Sequence, residues 1–208
     1  MNQKNIFLRY EGNNYFRRNE YNTSNHNIRF IENLITKRFT KKNYLLEIGC
    51  GDGRLLNSLR KKKNFILHGL DPSKEAIQTL KNTNIKCSIG TADQLNYKSN
   101  LFDIVVFGFC LYLVDKSLLF NVASEVDRVL KKNGYILIYD FFKKKSKTYK
   151  YMYNKKILTH KMNFSRMFLW HPSYKIIFKK IGDHNNIIKK TKNTNNAVSI
   201  ILLKKCNT

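Results

Sequence analysis

The stretch LLEIGCGDGRLL, Leu45 to Leu56, decides how this chain folds. An apolar run enters it, Glu47 stands before the first glycine, and Gly49, Gly51 and Gly53 follow at alternate positions. Glycine reaches positive φ without a Cβ clash and lets another molecule approach the main chain closely. An apolar strand ending on such a turn, with Leu55, Leu56 and Leu59 at helical spacing behind it, reads as strand, tight loop and helix.

The same alternation continues outward. Tyr44–Ile48 reads as a buried strand, Phe65–Leu70, Ile85–Ile89 and Tyr135–Phe141 as further strands, and Phe102–Phe107, uniformly apolar after Asp103, as a strand covered on both faces. Between them lie amphipathic stretches, one opened by Asp71-Pro72-Ser73, where Pro suits a helix start and Ser caps it. A further helix is expected around Ile28, Ile31, Leu34 and Ile35. Alternating strands and helices predict an α/β, doubly wound, mostly parallel sheet of Rossmann-like type. After Phe142 the pattern changes. Pro172–Ile181 reads as a helix, and Ile187–Lys192 with Ala197–Lys204 as a C-terminal antiparallel hairpin.

The 208 residues suit a single domain. It divides into an N-terminal helical segment (1–43), a core (44–142), a variable segment (143–171), and a helix with terminal hairpin (172–208). Lys and Arg number 39 against 14 Asp and Glu, a net charge of +25 that draws polyanions. Lys dominates, and Asn and Ile are abundant, as an AT-rich coding sequence yields without selection for binding. Cys50, Cys87, Cys110 and Cys206 form no C-x-x-C pair, so reduced thiols are expected rather than a disulfide frame or a metal site. The N-terminal residues carry no secretion-type apolar region. The longest apolar run, Ile104–Val114, is far short of the ~20 residues of a membrane span. A cytoplasmic location is expected.

In a doubly wound sheet, ligands sit beyond the carboxyl ends of the strands, where the glycine turn lies. The dinucleotide fingerprint G-x-G-x-x-G is not met, because Arg54 occupies its third glycine position. EIGCGDG instead resembles motif I of the class I S-adenosylmethionine-dependent methyltransferases. LHGLDPSKEAI resembles their second motif, SIGTADQLNYKSNLFDIVVF their adenine-binding turn and fourth strand, and EVDRVLKKNGYILIYDF the segment entering the fifth. The resemblance implies a seven-stranded methyltransferase fold with S-adenosylmethionine as cofactor. Asp71, with Pro72 beside it, would accept the ribose hydroxyls. Ala92, Asp93 and Gln94 would meet the adenine. Glu47 and the backbone of Gly49, Cys50, Gly51 and Gly53 would hold the methionine part, and Phe107 would line the transfer site. Each acid also has a plainer reading, Asp71 as a helix N-cap charge and Asp93 as a loop acid.

The acceptor is less legible. The Asp/Asn-Pro-Pro-aromatic signature of N6-adenine enzymes is absent, and GFCLYLVD stands in its place. A His pair found there in small-molecule members is replaced by Tyr112-Leu113. His160 and Tyr112 are the candidate catalytic residues, and Arg18 a candidate partner for a ligand carboxylate. His160 also reads as a surface histidine, Arg18 as a plain surface residue, and His184 as a hairpin cap. YFRRNE at 15–20, YDFF at 139–142 and YKYMYNKKILTHKMNFSRMFLWHP at 149–172 are similar to compact methyltransferases of nonulosonic (pseudaminic) acid sugar biosynthesis. That likeness implies a small-molecule or sugar-linked acceptor. An RNA acceptor for the basic surface, or a methyltransferase-like protein that binds without catalysis, are the alternatives.

Overall fold

The structure is a computed structural model. It describes residues 2–20, 26–62, 64–191 and 193–206. Met1 and residues 21–25 of the N-terminal segment lie outside the described residues, as does Lys192 at the end of the expected strand 187–192. Helix α1 (Gln3–Ile6), a π-helical turn (Phe7–Glu11) and α2 (Gly12–Asn19) follow without a break, and α3 is His26–Thr36. The core alternates β1 (Asn43–Ile48), α4 (Arg54–Arg60), β2 (Phe65–Asp71), α5 (Lys74–Gln78), β3 (Lys86–Ile89), β4 (Phe102–Gly108), α6 (Leu119–Val129) and β5 (Leu130–Phe141). Then come β6 (Lys147–Tyr151), β7 (Asn154–Lys161), α7 (Arg166–Leu169), β8 (Tyr174–Asp183) and β9 (Ala197–Lys205).

Seven strands form one sheet in the order β3-β2-β1-β4-β5-β9-β8. β3, β2, β1, β4 and β5 pair in parallel, while β9 is antiparallel to both its neighbours. This is the expected Rossmann-like architecture with a C-terminal antiparallel pair. Alternation along the strands sorts the core onto two faces. Leu46, Ile48, Val105, Phe107, Ile136 and Ile138 face α6 and α7, while Leu45, Ile104, Val106 and Leu137 face α3 and α4. β4 lies in the middle, with Phe102 and Ile104 through Phe107 wholly buried. Ser73 caps α5 as expected, its Oγ accepting from the Ala76 N–H at 3.1 Å. Among the described residues no helix is long and apolar enough to cross a membrane.

The C-terminal third departs from expectation. Residues 172–181 are not helical, and Tyr174–Asp183 is strand β8. A bulge between Ile176 and Phe178 shifts the register and breaks the two-residue alternation. It leaves Tyr174, Ile177, Phe178 and Ile181 spaced as on a helical face. The first strand of the hairpin is therefore β8. Residues 187–191 form a turn, in which Ile187 is buried and its N–H donates to Asn27 Oδ1 at 2.7 Å. Within 143–171, β6 and β7 make a separate two-stranded antiparallel sheet.

Candidate active site

The carboxyl ends of β1, β2 and β4 open onto one cavity of about 340 Å³. Gly49 (φ 73°) and Gly51 (φ 51°) both take the left-handed conformation at its rim, as a turn this abrupt requires. Leu70 O accepts from the N–H groups of Gly49 (2.8 Å) and Cys50 (3.2 Å), tying the turn to the end of β2. Next to it, Asp71 accepts the Gly51 N–H on Oδ2 at 2.9 Å and the Ser73 N–H on Oδ1 at 2.8 Å. The same carboxylate thus fixes the glycine turn and the start of α5 while bordering the cavity. Glu47 is buried beneath, and its Oε2 has no hydrogen-bond partner among the described residues.

The charge of the cavity opposes that of the molecule. Five of the 14 acidic residues line it: Glu47, Asp52, Asp71, Asp93 and Asp115. Only Lys4 and Arg54 stand against them. Burial raises the Glu47 carboxyl well above the usual carboxylate range, and the nearby Asp71 and Asp52 push the same way. Burial also brings Asp71 up to about 6, against the pull of its two backbone donors.

The N-terminal helices roof this cavity. Lys4 Nζ donates to Asp93 Oδ2 at 2.7 Å, and Gln3 Nε2 donates to the carbonyls of Leu113 (2.5 Å) and Leu158 (2.9 Å). Arg54, which displaced the dinucleotide reading, donates to the Asn19 carbonyl at 2.8 Å and so holds the end of α2 over the glycine turn.

Beyond β4 and β5 the lining becomes aromatic. Phe109 has φ 61°, a strained conformation for a bulky side chain and one that concentrates at functional sites. Its ring lies 5.0 Å from Tyr139 and 4.8 Å from His184. Asn27 Nδ2 donates to Tyr139 Oη at 2.8 Å and to the His184 carbonyl at 2.7 Å.

The structure brings most of the expected residues together. Glu47, Gly49, Cys50, Gly51, Asp71, Pro72, Ala92 and Asp93 line the cavity. Gly53, Gln94, Phe107, Arg18, His160 and Tyr112 do not. The Phe107 side chain alternates into the core beside Phe168, and Phe109 occupies the place expected of it. Arg18 is paired with Glu11 and donates to Tyr151 Oη at 2.9 Å. His160 is buried on β7, its Nδ1 3.0 Å from Thr148 Oγ1, and is not a surface histidine. Tyr112 Oη reaches Tyr15 Oη at 3.2 Å, and only Tyr15 borders the cavity. Phe109, Tyr139 and His184 were missed as site residues. Position 109 lies one residue past the β4 end that motif reading fixes, and His184 arrives from a loop whose strand was read as a helix.

Asp140, wholly buried behind this wall, accepts the N–H of Phe141 at 2.7 Å and of Tyr112 at 3.3 Å. Burial outweighs these donors and brings its carboxyl up to about 8. A folded-state pKa above the unfolded value of about 4 favours folding at low pH and is lost as pH rises through about 8. Glu47 and Asp71 act in the same sense. These three carboxyls therefore favour folding less at pH 8 than at pH 5, and Asp140→Asn is expected to remove its share of that loss, as the difference in urea midpoint between variant and parent across the range would read.

Comparison with known proteins agrees with this geometry. Residues 46–138 match a family described as a methyltransferase domain. No curated protein matches the sequence. Among solved structures, the Burkholderia thailandensis 1,6-didemethyltoxoflavin-N1-methyltransferase, with 1,6-didemethyltoxoflavin and S-adenosylhomocysteine bound, has a TM-score of 0.76 at 10% identity. The match covers 97% of this chain and 88% of that one. A putative methyltransferase from Haloferax volcanii, in complex with the Trm112 methyltransferase activator, has a TM-score of 0.68 at 14% identity over 97% and 98% of the two chains. An S-adenosylmethionine-dependent methyltransferase from Methanosarcina mazei has a TM-score of 0.64 at 16% identity, covering 84% of this chain and 98% of that one. The fold is that of the Rossmann-like methyltransferases.

Proposed function

We propose that this chain is an S-adenosylmethionine-dependent methyltransferase acting on a small-molecule acceptor. The observation that carries the reading is an acid-lined cavity behind a glycine turn in a chain of net charge +25. Such a lining selects a cation. When bound, S-adenosylmethionine supplies a methyl group on a positively charged sulfur.

The residues fit it. The orphaned Glu47 Oε2 suits the ammonium of the methionine part. Gly51, with nothing within 4 Å of where its Cβ would stand, leaves the backbone open to close approach. Asp71 keeps a lone pair on each oxygen for the ribose hydroxyls. Thr91, Ala92 and Asp93 suit the adenine, with Lys4 sharing the Asp93 carboxylate. What the protein contributes to the transfer is alignment and exclusion of water. The roof of α1 and α2 and the aromatic wall supply both.

A sugar-linked acceptor of the nonulosonic-acid type finds no unpaired cation in the YFRRNE segment, since Arg17 is paired with Glu75 and Arg18 with Glu11. An RNA acceptor rests on the exposed lysines of the β6–β7 sheet and the loop before it, Lys144, Lys145, Lys147, Lys150, Lys155 and Lys156. Calorimetry with S-adenosylmethionine tests the cofactor; a Kd weaker than about 1 mM would overturn the reading. Mass spectrometry of extracts incubated with enzyme and cofactor separates the acceptors. Small molecules gaining one methylene in mass are expected. Methylated RNA, with affinity falling steeply with salt, would establish the other acceptor.

A further inference from the structure

We propose that Phe109, Tyr139 and His184 form the acceptor subsite, and that it takes a planar heterocycle carrying a ring N–H beside a carbonyl. This rests on the methyltransferase reading above and names its substrate class. The three rings meet at the end of the cavity beyond β4 and β5, where Phe109 is held at positive φ with its N–H donating to the Tyr139 carbonyl at 3.0 Å. Phe141 stacks on His184 at 5.5 Å and 22° and lies 4.9 Å from Phe109, so the three rings pack against one another in a triangle. The imidazole is thus held by two aromatic neighbours, a setting in which flat π-systems prefer to pack.

The hydrogen-bonding capacity of the two polar rings is unspent. Asn27 is fixed in orientation, because its Oδ1 must accept from the Ile187 N–H and its Nδ2 must donate to the His184 carbonyl. Tyr139 Oη is therefore the acceptor of the second Asn27 N–H, and its own proton has no partner among the described residues. The His184 ring has no hydrogen-bond partner among them either, and its Nδ1 is sealed from solvent. That leaves Nε2 to meet a ligand. Burial lowers the pKa of this imidazole, against the pull of Asp183 and with Lys161 adding to the fall, so the ring is neutral near pH 7 and carries one donor and one acceptor nitrogen. A hydroxyl proton to give and an imidazole nitrogen to receive, on either side of Phe109, match the carbonyl and N–H of a cyclic amide. The cations nearest this wall are engaged elsewhere, Lys4 with Asp93, Arg54 with Asp52, and Lys161, which lies over Phe141, with the Asn195 carbonyl at 2.7 Å.

The test uses the full chain saturated with S-adenosylhomocysteine, which cannot transfer a methyl group, and lumazine as the planar probe. Lumazine fluorescence is expected to report binding, and 1,3-dimethyllumazine, which lacks both ring N–H groups, to bind at least tenfold more weakly. His184→Gln and Tyr139→Phe are each expected to weaken lumazine about tenfold, the loss of one hydrogen bond, with S-adenosylhomocysteine affinity unchanged. Lumazine failing to bind while S-adenosylhomocysteine binds, or binding equally well after N-methylation, would overturn the subsite. Should either variant fail to fold, the lumazine pair on the unaltered protein still decides. Absence of S-adenosylhomocysteine binding would instead strike the methyltransferase reading.

Discussion

Asp71→Asn is expected to weaken S-adenosylmethionine binding about 100-fold, by calorimetry at pH 7.5. The carboxylate already accepts from Gly51 and Ser73, one backbone donor on each oxygen. Each oxygen keeps room for one ribose hydroxyl. A hydrogen bond to a charged group contributes about 1.5–3 kcal/mol. The amide turns one of the two acceptors into a donor facing a hydroxyl, so one bond is lost and the charge is lost from both. The pH dependence has a definite sign. The ionised form is the one that accepts two hydroxyls, and burial raises the carboxyl to about 6. Affinity should rise from pH 5 through about 6 and level off above it, and the variant should lack that rise. An affinity within threefold of the parent would refute the ribose assignment.

The second large effect separates two neighbouring glycines. At Gly49 an added Cβ would stand 2.5 Å from Cys110 Cβ and 2.9 Å from its Sγ, at φ 73°. Left-handed backbone costs a non-glycine residue about 1–2 kcal/mol, and overpacking a core about 1–3 kcal/mol. Gly49→Ala should therefore lose about 2–5 kcal/mol of stability. At Gly51 the added Cβ meets nothing within 4 Å, so only the backbone cost at φ 51° remains. That methyl would stand on the cavity rim where the cofactor must approach. Gly51→Ala should fold with a loss of about 1 kcal/mol yet bind S-adenosylmethionine at least tenfold more weakly. Chemical denaturation and calorimetry on the pair check both halves. Equal destabilisation of the two would show that the turn serves packing alone.

The legibility of the chain tracks the range of the interactions that fix each part. The first five strands of the sheet were readable because each is a short run bounded by local turn chemistry, even at the sheet edge, where Lys86 and Ser88 leave β3 exposed. Gly49, Gly51, Asp71 and Asp93 were readable because the turns that present them are written in consecutive residues. β8 was not, since a bulge at Ile176–Phe178 gives its apolar residues helical spacing. Phe107 is the last side chain of β4 and alternates into the core, whereas Phe109 lies past the strand end at positive φ, a turn that strand alternation does not foretell. Lys4 and Arg54 were unreadable as roof contacts, because their partners lie far along the sequence, at Asp93 and Asn19. His184 needed the whole sheet assembled before it could meet Phe109.

The position of β9 has a consequence for how the protein comes into being on the ribosome. Among the described residues it is the last strand in sequence, yet it sits inside the sheet, between β5 and β8. Until residues 197–205 emerge, β5 presents an open edge bearing Ile136, Leu137 and Ile138, and β8 has no strand to join. Unpaired apolar edges invite association between nascent chains. A chain halted before Ala197 should therefore depend on chaperones for its solubility, and release of β9 is the event that ends that dependence.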